Sequence, residues 1–152
     1  MQSTQLTLGL TSQSYASPKA QAAIEQLALS AEAESRGAVF TRREVVDFIL
    51  DLTGYTEDQS LHEKRLLEPS FGNGDFLLPI IERLLRVWRT ARPNGSALDE
   101  LGNAIRAVEL HHDTFGNTHA AVIALLKREG IAANTATTLA SLWLSQGDFL
   151  LT

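Results

Sequence analysis

The run Arg65-Leu66-Leu67-Glu68 is followed at once by Pro69, by a bend with glycines at 72 and 74, and by apolar residues at helical spacing. No other stretch narrows the possible folds as much. A short apolar strand that empties into a glycine bend and then a helix is the repeating unit of parallel α/β sheets, where each strand needs a crossover before the next can lie beside it. The helix is expected to begin near Asp75 and run to Arg89, burying Phe76, Leu77, Ile80, Ile81, Leu84, Leu85 and Trp88. Two more strands are expected at 104–110 and 148–151, with helices at 117–128 and 135–144 divided by Gly130. The pattern predicts an α/β fold of about three parallel strands with flanking helices and right-handed crossovers.

Ahead of this unit, residues 1–17 are rich in Ser, Thr and Gln and read as a flexible arm. Residues 18–36 carry Ala20, Ile24, Leu27 and Ala31 on one helical stripe that Gly37 ends. A second helix is expected over 42–52, with Thr41 as its N-cap and Glu44 completing a capping box, and with Val45, Phe48, Ile49 and Leu52 as its buried face. Residues 18–152 thus read as one domain behind the arm.

Composition removes several classes. With no cysteine there is neither a disulfide framework nor a thiolate metal site. The longest apolar stretches fall far short of the ~20 residues that a membrane helix needs, and the absence of an oxidising signature and of a secretory leader makes the cytoplasm the expected home. The formal net charge is −5, from 13 Lys and Arg against 18 Asp and Glu. A chain that grips nucleic acid along its length has the opposite balance, because phosphate neutralisation supplies much of the affinity. If the chain serves a protein that works on DNA, other parts of that protein do the gripping.

Ligands of parallel sheets sit at the carboxyl ends of the strands, and three features fall there. The bend Glu68-Pro69-Ser70-Phe71-Gly72-Asn73-Gly74-Asp75-Phe76 has glycines that allow close approach and precedes a helix N-terminus with free N–H groups. Glu109 ends the second strand, where a carboxylate can accept from both hydroxyls of a ribose. Asp148 lies beside the third and can accept from an adenine amino group. The bend is not a P-loop, since Asp75 and Phe76 stand where Lys and Ser or Thr are needed, and Leu77 occupies the third small position of a dinucleotide fingerprint. An acid at 75 repels a diphosphate. A ligand with ribose and adenine but no phosphate, such as the sulfonium S-adenosylmethionine, suits it.

The stretch Gly37-Ala38-Val39-Phe40-Thr41, followed by a helix and then by Leu67-Glu68-Pro69-Ser70-Phe71-Gly72-Asn73-Gly74-Asp75-Phe76-Leu77, resembles the opening of the adenine-specific DNA methyltransferases of restriction-modification systems. The resemblance runs from about Arg36 to the last residue. It implies a Rossmann-like fold that binds S-adenosylmethionine, with Phe40 and Thr41 at the methionyl part and with Glu68, Pro69 and Gly72 to Phe76 lining the pocket. Glu109 is implied at the ribose and Asp148 at the adenine. Arg42 stands where the family has Pro. Gly74 and Glu109 are 35 positions apart, against about 20 in nucleotide-binding units; an insertion around 91–102 accounts for the excess. The family's Asn/Asp/Ser-Pro-Pro-Tyr/Phe element is absent, because the prolines at 18, 69, 79 and 93 are all isolated. The resemblance therefore implies the cofactor half of a truncated domain, with no catalytic residue of its own and with DNA reached through other parts. The edge beside the first strand is left open to self-association or to a partner.

Other readings of these residues stay open. Glu109 can be a solvated strand end, Asp148 can cap a turn after Gly147, Thr41 can cap a helix whatever else it does, and Phe40 can be core. A non-catalytic interaction module derived from a methyltransferase is the alternative function, and an RNA or protein methyltransferase is a third. His111, His112 and His119 do not read as a metal site, since strand neighbours point to opposite faces. Arg83, Arg86 and Arg89 read as a solvated helix face.

Overall fold

The computed structural model of the protein describes residues 41–91 and 94–151. The arm expected at 1–17, the helix expected at 18–36 and Phe40 lie outside the described residues. Three strands, β1 (Leu66–Glu68), β2 (Ile105–Glu109) and β3 (Leu144–Gln146), form one sheet in the order β1-β2-β3 with both pairings parallel. Glu68 lies opposite Ala107, and Glu109 opposite Gln146, so the ends of the three strands are staggered along one rim of the sheet. Five α-helices among the described residues accompany them: α1 (Arg43–Leu52), α2 (Leu77–Thr90), α3 (Ala97–Leu101), α4 (His112–Arg128) and α5 (Ala133–Trp143). Single 3₁₀ turns occupy Leu61–Glu63 and Phe149–Leu151.

The central strand is the most deeply buried. Ile105, Ala107, Val108 and Glu109 are all closed off from solvent, as a strand flanked on both edges requires, and only Arg106 is exposed. Leu77, Ile81, Leu84 and Leu85 bring one stripe of α2 into the same core, where Val122 and Leu126 of α4 and Leu139 and Trp143 of α5 meet it. Trp143 is fully buried and its indole Nε1 donates to the Leu101 carbonyl at 2.9 Å, which satisfies its one polar atom. The long gap between Gly74 and Glu109 is taken up by α2 and by α3, whose N-cap Ser96 accepts from the Asp99 N–H.

Several expectations are corrected. The third strand is Leu144–Gln146, taken from the end of the expected helix, and Asp148-Phe149-Leu150-Leu151 is not a strand. Sheet register explains this: Gln146 already reaches the level of Glu109, and Asp148 Oδ1 then accepts from the Leu150 N–H at 2.9 Å, which turns the chain away. Thr41 does not cap α1. The N-cap is Arg42 with no side-chain bond, and the capping box with Glu44 is not made. Helix α2 starts at Leu77, two residues later than expected, and α4 starts at His112, five residues earlier. His111 and His112 are therefore the N-cap and first residue of a helix, with His112 Nδ1 3.1 Å from Gln146 Oε1.

The stripe of arginines on α2 is not a solvated face throughout. Arg83 is only 7% exposed and bonds Asp51 Oδ1 at 2.6 Å, Asp47 Oδ1 at 3.0 Å and the carbonyls of Asp47 and Tyr55. Asp47 and Asp51, one turn apart, thus face α2. That orientation puts Val46 and Leu50 in the core and leaves Leu52, expected to be buried, 65% exposed. Arg86 and Arg89 pair at the surface with Glu57 and Glu129. Strand β1 is an edge strand, its Leu67 is half exposed, and the groove beside it, of about 470 Å³, is lined by Ile49, Leu50, Tyr55, Leu66, Phe76 and Ile80 among others.

Candidate functional site

The chain leaves β1 at Glu68 and enters the glycine bend, which is tied to the central strand rather than hanging free. Phe71 N–H donates to the Val108 carbonyl at 3.1 Å, and Gly74 N–H closes a four-residue turn onto the Phe71 carbonyl at 2.8 Å. Gly72 has φ +51° and Gly74 φ +87°, both in the left-handed region that side chains resist. Their surroundings differ. A Cβ on Gly74 would lie 3.2 Å from both Leu78 Cγ and Thr118 Cγ2, whereas one on Gly72 would meet nothing within 4 Å. The bend is thus packed on its inner side at Gly74 and open at Gly72, as a loop must be if a ligand is to lie against it.

Glu109 reaches that bend from the end of β2. Its Oε2 accepts from the Gly72 N–H at 3.0 Å and its Oε1 from the His111 N–H at 2.8 Å, while its own carbonyl accepts from the Gly147 N–H at 2.9 Å. The residue is 3% exposed. Each carboxylate oxygen has two acceptor positions, so one on each remains for a vicinal diol after these bonds.

Thr41 joins from the other side. Its backbone N–H donates to Asp75 Oδ2 at 2.9 Å, which brings the start of α1 against the second half of the bend. This bond, rather than a helix cap, is the role of Thr41 in the fold. Glu68 is half buried at the end of β1 and accepts from the Ser70 N–H at 3.2 Å. Burial pushes its carboxyl above the usual range, more than the Ser70 bond lowers it. Pro69 follows it into the bend. Phe76 is the half-buried N-cap residue of α2. Asp148 lies two residues beyond the end of β3, half buried, in the turn described above. The correction to β3 therefore sets Asp148 past a carboxyl end of the sheet, on the same rim as Glu109.

One residue at this rim gave no sequence signal. Thr118, on α4 and 2% exposed, donates from Oγ1 to the Gly72 carbonyl at 2.7 Å. A threonine within a helix is read as a neutral surface or core position, and only the folded chain shows that it faces a loop 46 residues away. Phe71, Phe115 and His119 form a row beside it, with centroids 6.0 and 5.5 Å apart. Among the described residues no three His, Asp or Glu side chains converge as metal ligands.

Glu68, Asp75, Glu109 and Asp148 give the rim a negative field, which disfavours phosphates and suits a cation. A three-stranded parallel sheet with flanking helices and a two-glycine bend after its first strand is a truncated Rossmann-like methyltransferase fold. The sequence is homologous to a segment of the type II methyltransferases of restriction-modification systems. It is 75% identical over 130 residues to the type II methyltransferase M.PaeR7I of Pseudomonas aeruginosa, covering 86% of this chain and 23% of that protein. It is 48% identical over 122 residues to M.XhoI of Xanthomonas vasicola, covering 78% of this chain and 22% of that one. It is 41% identical over 117 residues to M.BstVI of Geobacillus stearothermophilus, covering 76% and 21%. The chain thus spans less than a quarter of the length of these relatives. No family model matches the chain. No solved structure matches it. No helix among the described residues is long and apolar enough to cross a membrane.

Proposed function

We propose that residues 18–152 are the S-adenosylmethionine-binding part of a methyltransferase that modifies the exocyclic amino group of adenine in DNA. The observation that carries this reading is the bond from the Gly72 N–H to Glu109, which joins an open glycine bend to a buried acid at the next strand tip. Glu109 takes the ribose hydroxyls, Asp148 the adenine amino group, and the bend from Gly72 to Phe76, with Glu68, Pro69, Phe40 and Thr41, the amino-acid end. When bound, the cofactor supplies a sulfonium-activated methyl group. The acids offset the cofactor's positive charge, and the packed side of the bend fixes where its ligand-facing side stands.

The chain contributes no catalytic residue in this reading. Its four prolines are isolated, so no Pro-Pro-aromatic element is present to hold a flipped base. DNA contact belongs to further parts of the whole protein, in keeping with the acidic charge of this chain, and the remaining strands join at the open edge of β1. Its setting is the bacterial cytoplasm, where the DNA lies.

Thermal shift of the chain with S-adenosylmethionine and with S-adenosylhomocysteine tests the cofactor reading. Saturable stabilisation that Glu109→Ala abolishes is expected; none at millimolar concentration of either favours a non-catalytic interaction module. For the whole protein, incubation with labelled cofactor and DNA followed by nucleoside digestion is expected to give N6-methyladenine. Label in cytosine, in RNA or in protein overturns the adenine assignment.

A further inference from the structure

Thr118 uses one side chain to touch both glycines of the bend. Its hydroxyl donates to the Gly72 carbonyl at 2.7 Å. Its methyl Cγ2 lies 3.2 Å from where a Cβ on Gly74 would be, so it fills the space that a side chain there would need. A threonine inside a helix ordinarily turns its hydroxyl to a carbonyl of its own preceding turn. This one leaves its helix and crosses to the bend, although it is 2% exposed.

Two successive peptide groups are fixed as a result. The Phe71–Gly72 peptide is held by its N–H on Glu109, and the Gly72–Asn73 peptide by its C=O on Thr118. All described peptide bonds are trans. In a trans peptide the N–H and C=O point in opposite directions. With the Gly72 carbonyl turned towards α4, the Asn73 N–H is aimed away from α4, to the open side of the bend. The carboxylates nearest the bend, Asp75 and Glu109, cannot hold an anionic group. A backbone N–H can.

We propose that Thr118 is a positioning residue of the bend, whose hydroxyl sets the Gly72–Asn73 peptide so that the Asn73 N–H meets a hydrogen-bond acceptor of the ligand. The acceptor class is a carboxylate, such as that of the cofactor's amino-acid end; this rests on the cofactor reading above. Loss of the hydroxyl frees the peptide to rotate and leaves the fold's core intact, because valine keeps the methyl that packs on Gly74.

The test uses Thr118→Val and Thr118→Ser in the whole 152-residue chain, with S-adenosylhomocysteine as the probe in calorimetry and with amide exchange of residues 72–74 read by NMR in the free chain. The valine variant is expected to bind about five- to tenfold more weakly and to exchange faster at Gly72 and Gly74, whose amides are bonded to Glu109 and to the Phe71 carbonyl in the parent. The serine variant should stay within about twofold of the parent in both. A purely structural role would not make a hydroxyl-bearing variant recover affinity. Parent-like affinity and exchange in the valine variant overturns the proposal, as does loss of both in the serine variant, which decides alone if valine does not fold. If the parent chain binds no probe, the cofactor reading fails, and Thr118's hold on the bend is judged from exchange: slower or equal exchange in the valine variant overturns it.

Discussion

The carboxylate of Glu109 and the backbone N–H of Gly72 lie 3.0 Å apart although 37 positions separate them. This bond makes the first and second strand tips one surface. The same carboxylate also holds the His111 N–H at 2.8 Å, so an acid with 3% exposure serves two backbone donors and is not an unpaired buried charge.

Removing that carboxylate should therefore harm both fold and binding. Glu109→Ala strands two N–H groups and is expected to destabilise the chain by about 3 kcal/mol, given ~1.5–3 kcal/mol for a bond to a charged group. Glu109→Gln retains an acceptor and should cost about half as much. Urea denaturation checks both, and a loss below about 0.5 kcal/mol for alanine would contradict the assigned bonds.

The two glycines should not respond alike. Gly72→Ala meets only the backbone cost of its positive φ, about 1 kcal/mol, because the space around it is open. Gly74→Ala adds contacts at 3.2 Å with Leu78 and Thr118 to that cost and is expected to lose about 2–4 kcal/mol. Paired denaturation curves measure the difference, and equal losses would mean that Leu78 and Thr118 give way to the added methyl.

Glu68 makes a pH prediction. Burial raises its carboxyl above the ordinary 4.5, so the folded chain holds this proton more tightly than the unfolded one. Its favourable contribution is complete below 4.5 and is lost as pH rises through the folded value. Glu68→Gln should accordingly raise the melting temperature at pH 7 and leave it unchanged below pH 4.5. A variant that is less stable than the parent at pH 7 contradicts the burial argument.

Arg83 tests how α1 is held. Its guanidinium binds two carboxylates and two carbonyls, and burial opposes its charge less than those bonds favour it. Arg83→Met is expected to cost about 2–4 kcal/mol. Arg83→Lys should recover only part, since an ammonium cannot match the fork geometry. Asp47 is subject to burial, which raises its carboxyl, but the bonds from Arg83 and Arg43 hold it lowered. Its stability contribution is therefore present above the ordinary carboxylate value and lost as pH falls, and the methionine variant should show a shallower acid limb. An unchanged acid limb contradicts this.

The parts of the fold that were legible in the sequence are those governed by local patterning. The run from Leu66 to Arg89 alternates strand, glycine bend and apolar helix, and the structure follows it to within two residues. The third strand was not legible, because Leu139 to Leu144 is apolar at all but Ser141 and only pairing with β2 decides where helix gives way to strand. Arg83 looked like its surface neighbours Arg86 and Arg89, since nothing in its own helix announces that Asp47 and Asp51 wait on another. Around the bend, the place of Glu109 at the end of β2 was legible in the sequence, whereas Thr118 was hidden: a hydroxyl that bonds across 46 residues leaves no local pattern.

The central claim is that the bend and the acids at the strand tips enclose an adenosyl ligand. Titrating S-adenosylmethionine into isotopically labelled chain and following backbone amide signals tests it most directly. Saturable shifts centred on residues 72–76, Glu109, His111 and Asp148 are the expected result. Shifts confined to other parts of the chain, or none at these amides at millimolar ligand, would contradict it.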